Sequence, residues 1–118
     1  MLYYAILREI IESIHPDFHI SIHTKQLKDN DVEIIHYKNN ELSSKLVEEL
    51  KKRQRKAECK ESIDFELAPN RSIELALYPK YMIKSFIFNV NEDLAINEHE
   101  TARLITDLSE VINKTLIP

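Results

Sequence analysis

The chain has 118 residues and not one glycine. At an ordinary glycine frequency of about 7%, roughly two sequences of this length in ten thousand would lack it. Glycine is the residue that lets a backbone approach a phosphate closely or turn sharply behind a nucleophile. The sequence therefore excludes P-loops, dinucleotide-binding glycine motifs, nucleophile elbows and glycine-bearing EF-hands. It predicts no cofactor.

The bulk composition is typical of one globular domain, which we expect to span residues 1–118. Apolar residues make up 43% of the chain and charged residues 31%, and the net charge is −4. The N-terminus lacks the pattern of a signal peptide, and no apolar run approaches the length of a membrane span. A single cysteine, Cys59, cannot form an internal disulfide. These features predict a cytoplasmic protein with no membrane partner.

Hydrophobic periodicity predicts the elements in the first half of the chain. Apolar residues at three- and four-residue steps predict an opening helix that ends before Pro16. The period then changes to two, which predicts a strand around residues 18–23 and a second at 32–37. A helix from Glu41 to Lys60 should follow, with an apolar first half and a solvated second half.

The second half predicts three strands and a helix. Alternation indicates a hairpin at 63–67 and 72–77, and residues 81–90 are apolar on both faces, as in a central strand or a dimer interface at 82–90. Asn97 and Glu100 resemble a capping box before the final helix. The order αββαβββα predicts an α+β fold, with an antiparallel sheet of about five strands and three helices in a two-layer sandwich. Without glycine, we expect asparagine, aspartate and proline to form the sharp turns.

The titratable residues form no diagnostic catalytic or metal-binding motif. His19 and His23 lie on one face of a predicted strand but about 14 Å apart, too far to share a zinc ion. The other groups that we considered are His15 and His36, the possible acid–base partners Asp31, Glu33 and Glu74 of His36, and Cys59 as a nucleophile. None has a spacing that identifies a reaction. We therefore predict no metal, and a protein that is not an enzyme.

The densest run of positive charge is the basic patch Lys51, Lys52, Arg53, Arg55 and Lys56. Closely spaced cations repel one another and are often retained for an acidic partner or for nucleic-acid phosphate. The alternative is a solvated helix end whose cations suit the C-terminal dipole.

Acidic residues concentrate in two predicted loops, with no basic residue between Lys84 and Arg103. These candidate partner-binding residues are Asp29, Asp31, Glu92, Asp93, Glu98 and Glu100. Together they predict an acidic surface that would steer a basic partner, and the alternative is solubility with helix capping.

Size, acidic balance and the lack of cofactor motifs favour a protein-binding domain. The leading hypothesis is an inhibitor of the immunity-protein or antitoxin type that neutralises a cationic, nuclease-like toxin by direct binding. One alternative is a dimeric chaperone for secreted effectors, with 82–90 as its homodimer interface. Another is a nucleic-acid-binding domain that uses residues 51–56, although the acidic net charge makes nucleic acid an unfavoured partner.

Overall fold

Four strands and two α-helices make up the regular elements of the described part of the chain, in the order ββαββα. The computed structural model describes residues 5–6, 9–10, 13, 17–62, 83–94 and 96–117. The elements are β1 (Phe18–Lys25), β2 (Val32–His36), α1 (Asn40–Lys52), β3 (Ala57–Glu61), β4 (Lys84–Asn91), a 3-10 helix (Glu92–Leu94) and α2 (Glu98–Leu116). The α+β class is confirmed. No helix in these ranges has the length and apolarity that crossing a bilayer requires.

Two predicted elements fall wholly or partly outside these ranges. The backbone is helical at five described positions of the opening segment, which are Ala5, Ile6, Glu9, Ile10 and Ser13. Ile6 and Ile10 are among the apolar residues whose spacing predicts the opening helix, yet both are exposed. The hairpin predicted at 63–67 and 72–77 lies outside the described residues.

The sheet is mixed, so the prediction of an antiparallel sheet is wrong. Its strand order is β1-β4-β2-β3. β1 runs parallel to β4 and β2 runs parallel to β3, whereas β2 and β4 are antiparallel. The parallel pair β2–β3 follows from α1, because a helical crossover returns the chain to the starting edge of the sheet.

The second predicted helix is shorter than expected, because α1 ends at Lys52 rather than Lys60. Its apolar stripe stops at Leu50, so a longer helix would bury no further large side chain. The N–H groups of Arg55 and Gln54 donate to the carbonyls of Leu50 and Lys51, both at 3.0 Å. This pair of bonds is a Schellman termination. The chain then forms β3, which places Ala57 in the core and Cys59 against it.

Two residues in the described ranges take the left-handed conformation that glycine usually supplies. They are Lys38, with φ of 55°, and Gln54, with φ of 63°. The expectation that asparagine and aspartate would fill such positions is wrong at these two sites. A side chain with a Cβ in this region carries a penalty of about 1 kcal/mol, which the surrounding contacts offset.

The core lies between the sheet and the two helices. Side chains alternate along each strand, so Val32 and Ile34 face the helices while Glu33 faces away. Phe86 and Phe88 of β4 are fully buried beside them. The helices contribute their apolar faces, chiefly Leu46, Leu50, Leu104, Leu108 and Val111. Each such side chain stabilises the fold by about 1.5–3 kcal/mol.

β4 occupies a central position in the sheet, as its two apolar faces predicted. It pairs with β1 on one side and β2 on the other. Neither edge of residues 84–91 is therefore open to a strand of a second copy. A dimer interface at 82–90 would have to use a face of the sheet, and it stays a prediction.

Candidate functional site

Most of the charged candidates meet at one end of the sheet, which we call the charged end. β1 and β4 finish there and β2 and β3 begin there, since Lys25 pairs with Asn91 and Val32 pairs with both Val90 and Ala57. The charged end is formed by the loop 26–31, the turn 53–56 and residues 92–94 and 96–97. The structure thus brings together loops that are far apart in sequence.

Asn91 holds two of these loops together, a role that the sequence did not reveal. Its backbone N–H donates to the carbonyl of Asp31 at 2.8 Å. Its side-chain amide donates to the carbonyls of Leu27 at 3.0 Å and Asn30 at 3.2 Å, and its side-chain oxygen accepts from the N–H of Asp93 at 3.1 Å. One residue therefore positions the loop that carries Asp29 and the start of the 3-10 helix.

Two of the six predicted acidic-surface residues are engaged within the fold. The carboxylate of Asp31 accepts from the backbone N–H of Lys56 at 3.0 Å, which joins the loop to the start of β3. Glu100 forms an ion pair with Arg103 at 3.4 Å. The N–H of Glu100 also donates to the side chain of Asn97 at 2.9 Å, so the predicted N-cap is confirmed.

The other four acidic residues, Asp29, Glu92, Asp93 and Glu98, are exposed. Their carboxylates form no ion pair with any residue of the described ranges. Glu92, Asp93 and Glu98 follow one another closely between β4 and the first turn of α2, and we call these three residues the acidic segment. Its charges suit the positive end of the helix dipole and also remain open to a partner.

The two arginines of the basic patch form ion pairs with carboxylates of α2. Arg55 donates from Nε to the Asp107 carboxylate at 2.8 Å, and its side chain is only 10% exposed. Arg53 pairs with Glu110 and lies 4.0 Å from Asp107. These pairs lock the end of α1 to the middle of α2.

Lys52, further back on α1, is also paired. It lies 3.1 Å from Glu49, which in turn contacts Lys114 of α2 at 3.0 Å. Hydrogen bonds from Lys114 and Lys52 hold the pKa of Glu49 below its ordinary value. Three of the five predicted patch residues therefore have acidic partners inside the domain.

Lys51 and Lys56 are the members of the basic patch whose side chains have no acidic partner among the described residues. Together with Arg55 and Asp29 they line an open groove beside the α1–β3 turn. The groove thus contains both signs of charge. The acidic segment lies apart from it, because Glu98 is nine residues before Asp107 on α2, a rise of about 14 Å.

A second charged cluster, which sequence analysis did not identify, lies on the sheet face opposite the helices. Glu33 is only 7% exposed there. Its carboxylate contacts Lys60 at 3.1 Å, Asn89 at 3.3 Å and Lys25 at 4.0 Å. Burial by itself raises the pKa of Glu33, but hydrogen bonds from Lys60 and Asn89 and the nearby positive charges lower it below the ordinary value. An ionised, paired carboxylate of this kind is poorly suited to general-base catalysis near neutral pH.

His36 points to the other face of the sheet, so it forms no acid–base pair with Glu33. It is 1% exposed, and burial lowers its pKa although the charge of Glu61 acts in the opposite direction. Its Nδ1 accepts a hydrogen bond from the N–H of Asn39 at 3.1 Å, which a neutral ring can do. Asp31, the other described partner that we considered, is bonded to Lys56. Glu74 lies outside the described residues.

The remaining candidates are dispersed. His19 lies 3.4 Å from Ser85 on β4. Cys59 is half-buried on β3 rather than at a helix end. In the described ranges, no three histidine, cysteine, aspartate or glutamate side chains are grouped to hold a metal ion.

Comparison with known proteins gives information on the fold alone. No protein-family model and no curated protein matches this sequence. The fold is similar to the crystal structure of gene product Atu2144 from Agrobacterium tumefaciens, with a TM-score of 0.66 and 13% sequence identity. The match covers 97% of this chain and 48% of that chain, so this chain spans about half the length of its structural neighbour.

Proposed function

We propose that this domain is a protein-binding inhibitor of the immunity-protein or antitoxin type, which neutralises a cationic, nuclease-like toxin by direct binding. The observation that carries the proposal is the acidic segment, whose three carboxylates are exposed and unpaired within the described residues. Arg103, the described arginine nearest to the acidic segment along the chain, is paired with Glu100, and Arg53 and Arg55 are paired with Glu110 and Asp107. The acidic segment is therefore available to cations from another molecule.

The surroundings of the acidic segment support a rigid binding surface. Asn91 anchors the start of the 3-10 helix, and the Asn97 cap fixes the start of α2. Charges held in fixed positions lose little conformational entropy when a partner binds. They would raise the association rate of a basic partner, most strongly at low salt.

The experiment combines a protection assay with binding kinetics. The protein would be co-expressed with the product of the adjacent gene, and we expect it to restore growth if that product is toxic. The triple variant Glu92→Gln, Asp93→Asn, Glu98→Gln should slow association with the same protein by roughly 10-fold at low salt, with the difference shrinking at high salt.

A matched control removes the same number of charges elsewhere. Glu9, Glu41 and Glu48 are exposed carboxylates outside the charged end, and all three would be changed to Gln. We expect this variant to associate at the wild-type rate. Equal slowing by both variants, or no protection by the wild-type protein, would contradict the proposal.

The nucleic-acid alternative rests on the open groove, where the side chains of Lys51 and Lys56 have no acidic partner among the described residues. Asp29 in the same groove and the pairing of Arg55 with Asp107 leave it with little net positive charge. If nucleic acid binds, its affinity should fall steeply with salt and should drop further in a Lys51→Gln, Lys56→Gln variant. The chaperone alternative predicts a stable dimer that binds a secreted effector.

A further inference from the structure

The two edge strands of the described sheet differ in their protection against pairing with another strand. β3 has five residues, and three of them, Glu58, Lys60 and Glu61, are charged. β1 has eight residues, FHISIHTK, with no proline, no acidic residue and one lysine at its end. Short, charged edges resist strand addition, whereas long edges rich in β-branched residues accept it. β1 is the edge that is suited to pairing.

Exposure identifies the open part of β1. All side chains from Ile22 to Lys25 are exposed, on both faces of the strand, while Phe18 to Ser21 are half-buried. Ile22 is 56% exposed. Ile22 pairs with Phe88 of β4, which pairs with Ile34 of β2, which pairs with Cys59 of β3. These four side chains form an apolar row across the sheet, in which Phe88 and Ile34 are fully buried and Ile22 is the outer end. This apolar row ends at solvent on β1.

We propose that a second copy of this chain pairs with β1 in antiparallel orientation, with its two-fold axis at Ile22. In this register Ile22 faces its symmetry mate and Ile20 faces Thr24 of the other copy. The two helix layers then lie on the same side of one continuous sheet, and the apolar row continues into the second copy. A register shifted by one residue would bring polar side chains against the apolar row.

A second copy fits this edge better than an unrelated strand. A two-fold interface must be complementary to itself, and the β1 sequence meets this condition in the register at Ile22. On the face opposite the helices, Ser21 would lie beside His23 and His19 beside Lys25. β1 itself has no acidic residue to attract the basic partner proposed above, and its last residue, Lys25, pairs with Asn91, which directly precedes the acidic segment.

The first test is the mass of the protein in solution, measured by sedimentation equilibrium at micromolar concentration. We expect twice the 13.9 kDa of the chain. Ile22→Arg places two like charges at the two-fold axis and should raise the dimer dissociation constant by roughly 100-fold or more. Ile105→Arg is the matched control, because Ile105 is equally exposed, at 59%, but lies on α2. It should remain dimeric.

A crosslinking test fixes the register without depending on a disruptive variant. With Cys59 changed to Ser, an Ile22→Cys variant should form a covalent dimer on mild oxidation, because facing residues of antiparallel strands bring their Cβ atoms to about 5 Å. Thr24→Cys in the same background should crosslink much more slowly. A monomeric wild-type protein, or crosslinking that is equal at positions 22 and 24, would overturn the proposal. Loss of toxin protection without loss of dimerisation would count only against the proposed function.

Discussion

The acidic segment and the turn 53–56 carry opposite charge and differ in how much of that charge is available. Both connect elements at the charged end, and both looked like open surfaces in the sequence. In the structure Glu92, Asp93 and Glu98 remain exposed and unpaired within the described ranges, whereas Arg53 and Arg55 bind carboxylates of α2. A run of like charge along the chain therefore does not show which charges a partner can reach.

The difference arises from what lies opposite each region. α2 passes the end of α1 with Asp107 and Glu110, so the arginines meet carboxylates as the helices pack. The acidic segment lies before this contact, and the one arginine and the one lysine of α2 are both paired, Arg103 with Glu100 and Lys114 with Glu49. The same helix thus neutralises one region and leaves the other charged.

The largest expected effect comes from removing the acidic partner of the arginines. Asp107→Ala should lower the free energy of unfolding by about 2 kcal/mol, because it leaves the nearly buried Arg55 guanidinium without its counter-charge. Glu98→Ala, in the acidic segment, should change it by less than about 0.5 kcal/mol. Urea denaturation of both variants measures the contrast, and equal losses would show that the two regions do not differ.

Lowering the pH should reduce the free energy of unfolding in two separate pH ranges, one set by His36 and one by Glu33. Burial lowers the pKa of His36 from 6.5 in the fold, so below that pH the unfolded chain binds a proton that the folded chain resists, and stability falls. The pKa of Glu33 is lowered from 4.5 despite its burial, so its contribution is present above pH 4.5 and is lost as the pH falls further.

Thermal unfolding from pH 7.5 to pH 3 checks these windows with two reciprocal variants. His36→Gln should flatten the decline that begins near pH 6.5 and leave the lower one. Glu33→Gln should do the reverse, flattening the decline below pH 4.5. If either variant changed both windows alike, the two groups would not titrate independently.

The smallest effect concerns the backbone of the turn 53–56. Gln54 has a φ of 63° at the Schellman termination of α1, a position where glycine carries no steric penalty. Gln54→Gly should stabilise the protein by about 0.5–1 kcal/mol, and Gln54→Ala should give no such gain because alanine retains the Cβ. Stability of both variants in urea tests this, and a gain with alanine would assign the effect to the lost side chain instead.

Local patterns predicted the elements where side-chain periodicity and capping agreed. The strands predicted around 18–23 and 32–37 are present as β1 and β2, and the central position of the strand predicted at 81–90 and the Asn97 cap also followed from period and residue type. The prediction that the second helix continues through residues 53–60 was wrong. These residues are mostly charged, so their hydrophobic periodicity did not mark the end of the helix. The sheet directions were wrong as well, since pairing between β1 and β4 joins residues 66 apart, such as Phe18 and Lys84.

The sequence by itself excluded the glycine-dependent binding motifs and indicated which segments can be strands or helices. Both conclusions depend only on residue types and short-range spacing. The lack of glycine removed phosphate-cradling loops and obliged Lys38 and Gln54 to take left-handed conformations. Only the tertiary structure decided which charges are available, because ion pairs such as that of Arg55 with Asp107 form between segments about fifty residues apart. The acidic segment is a candidate site because, among the described residues, packing left it without such a partner.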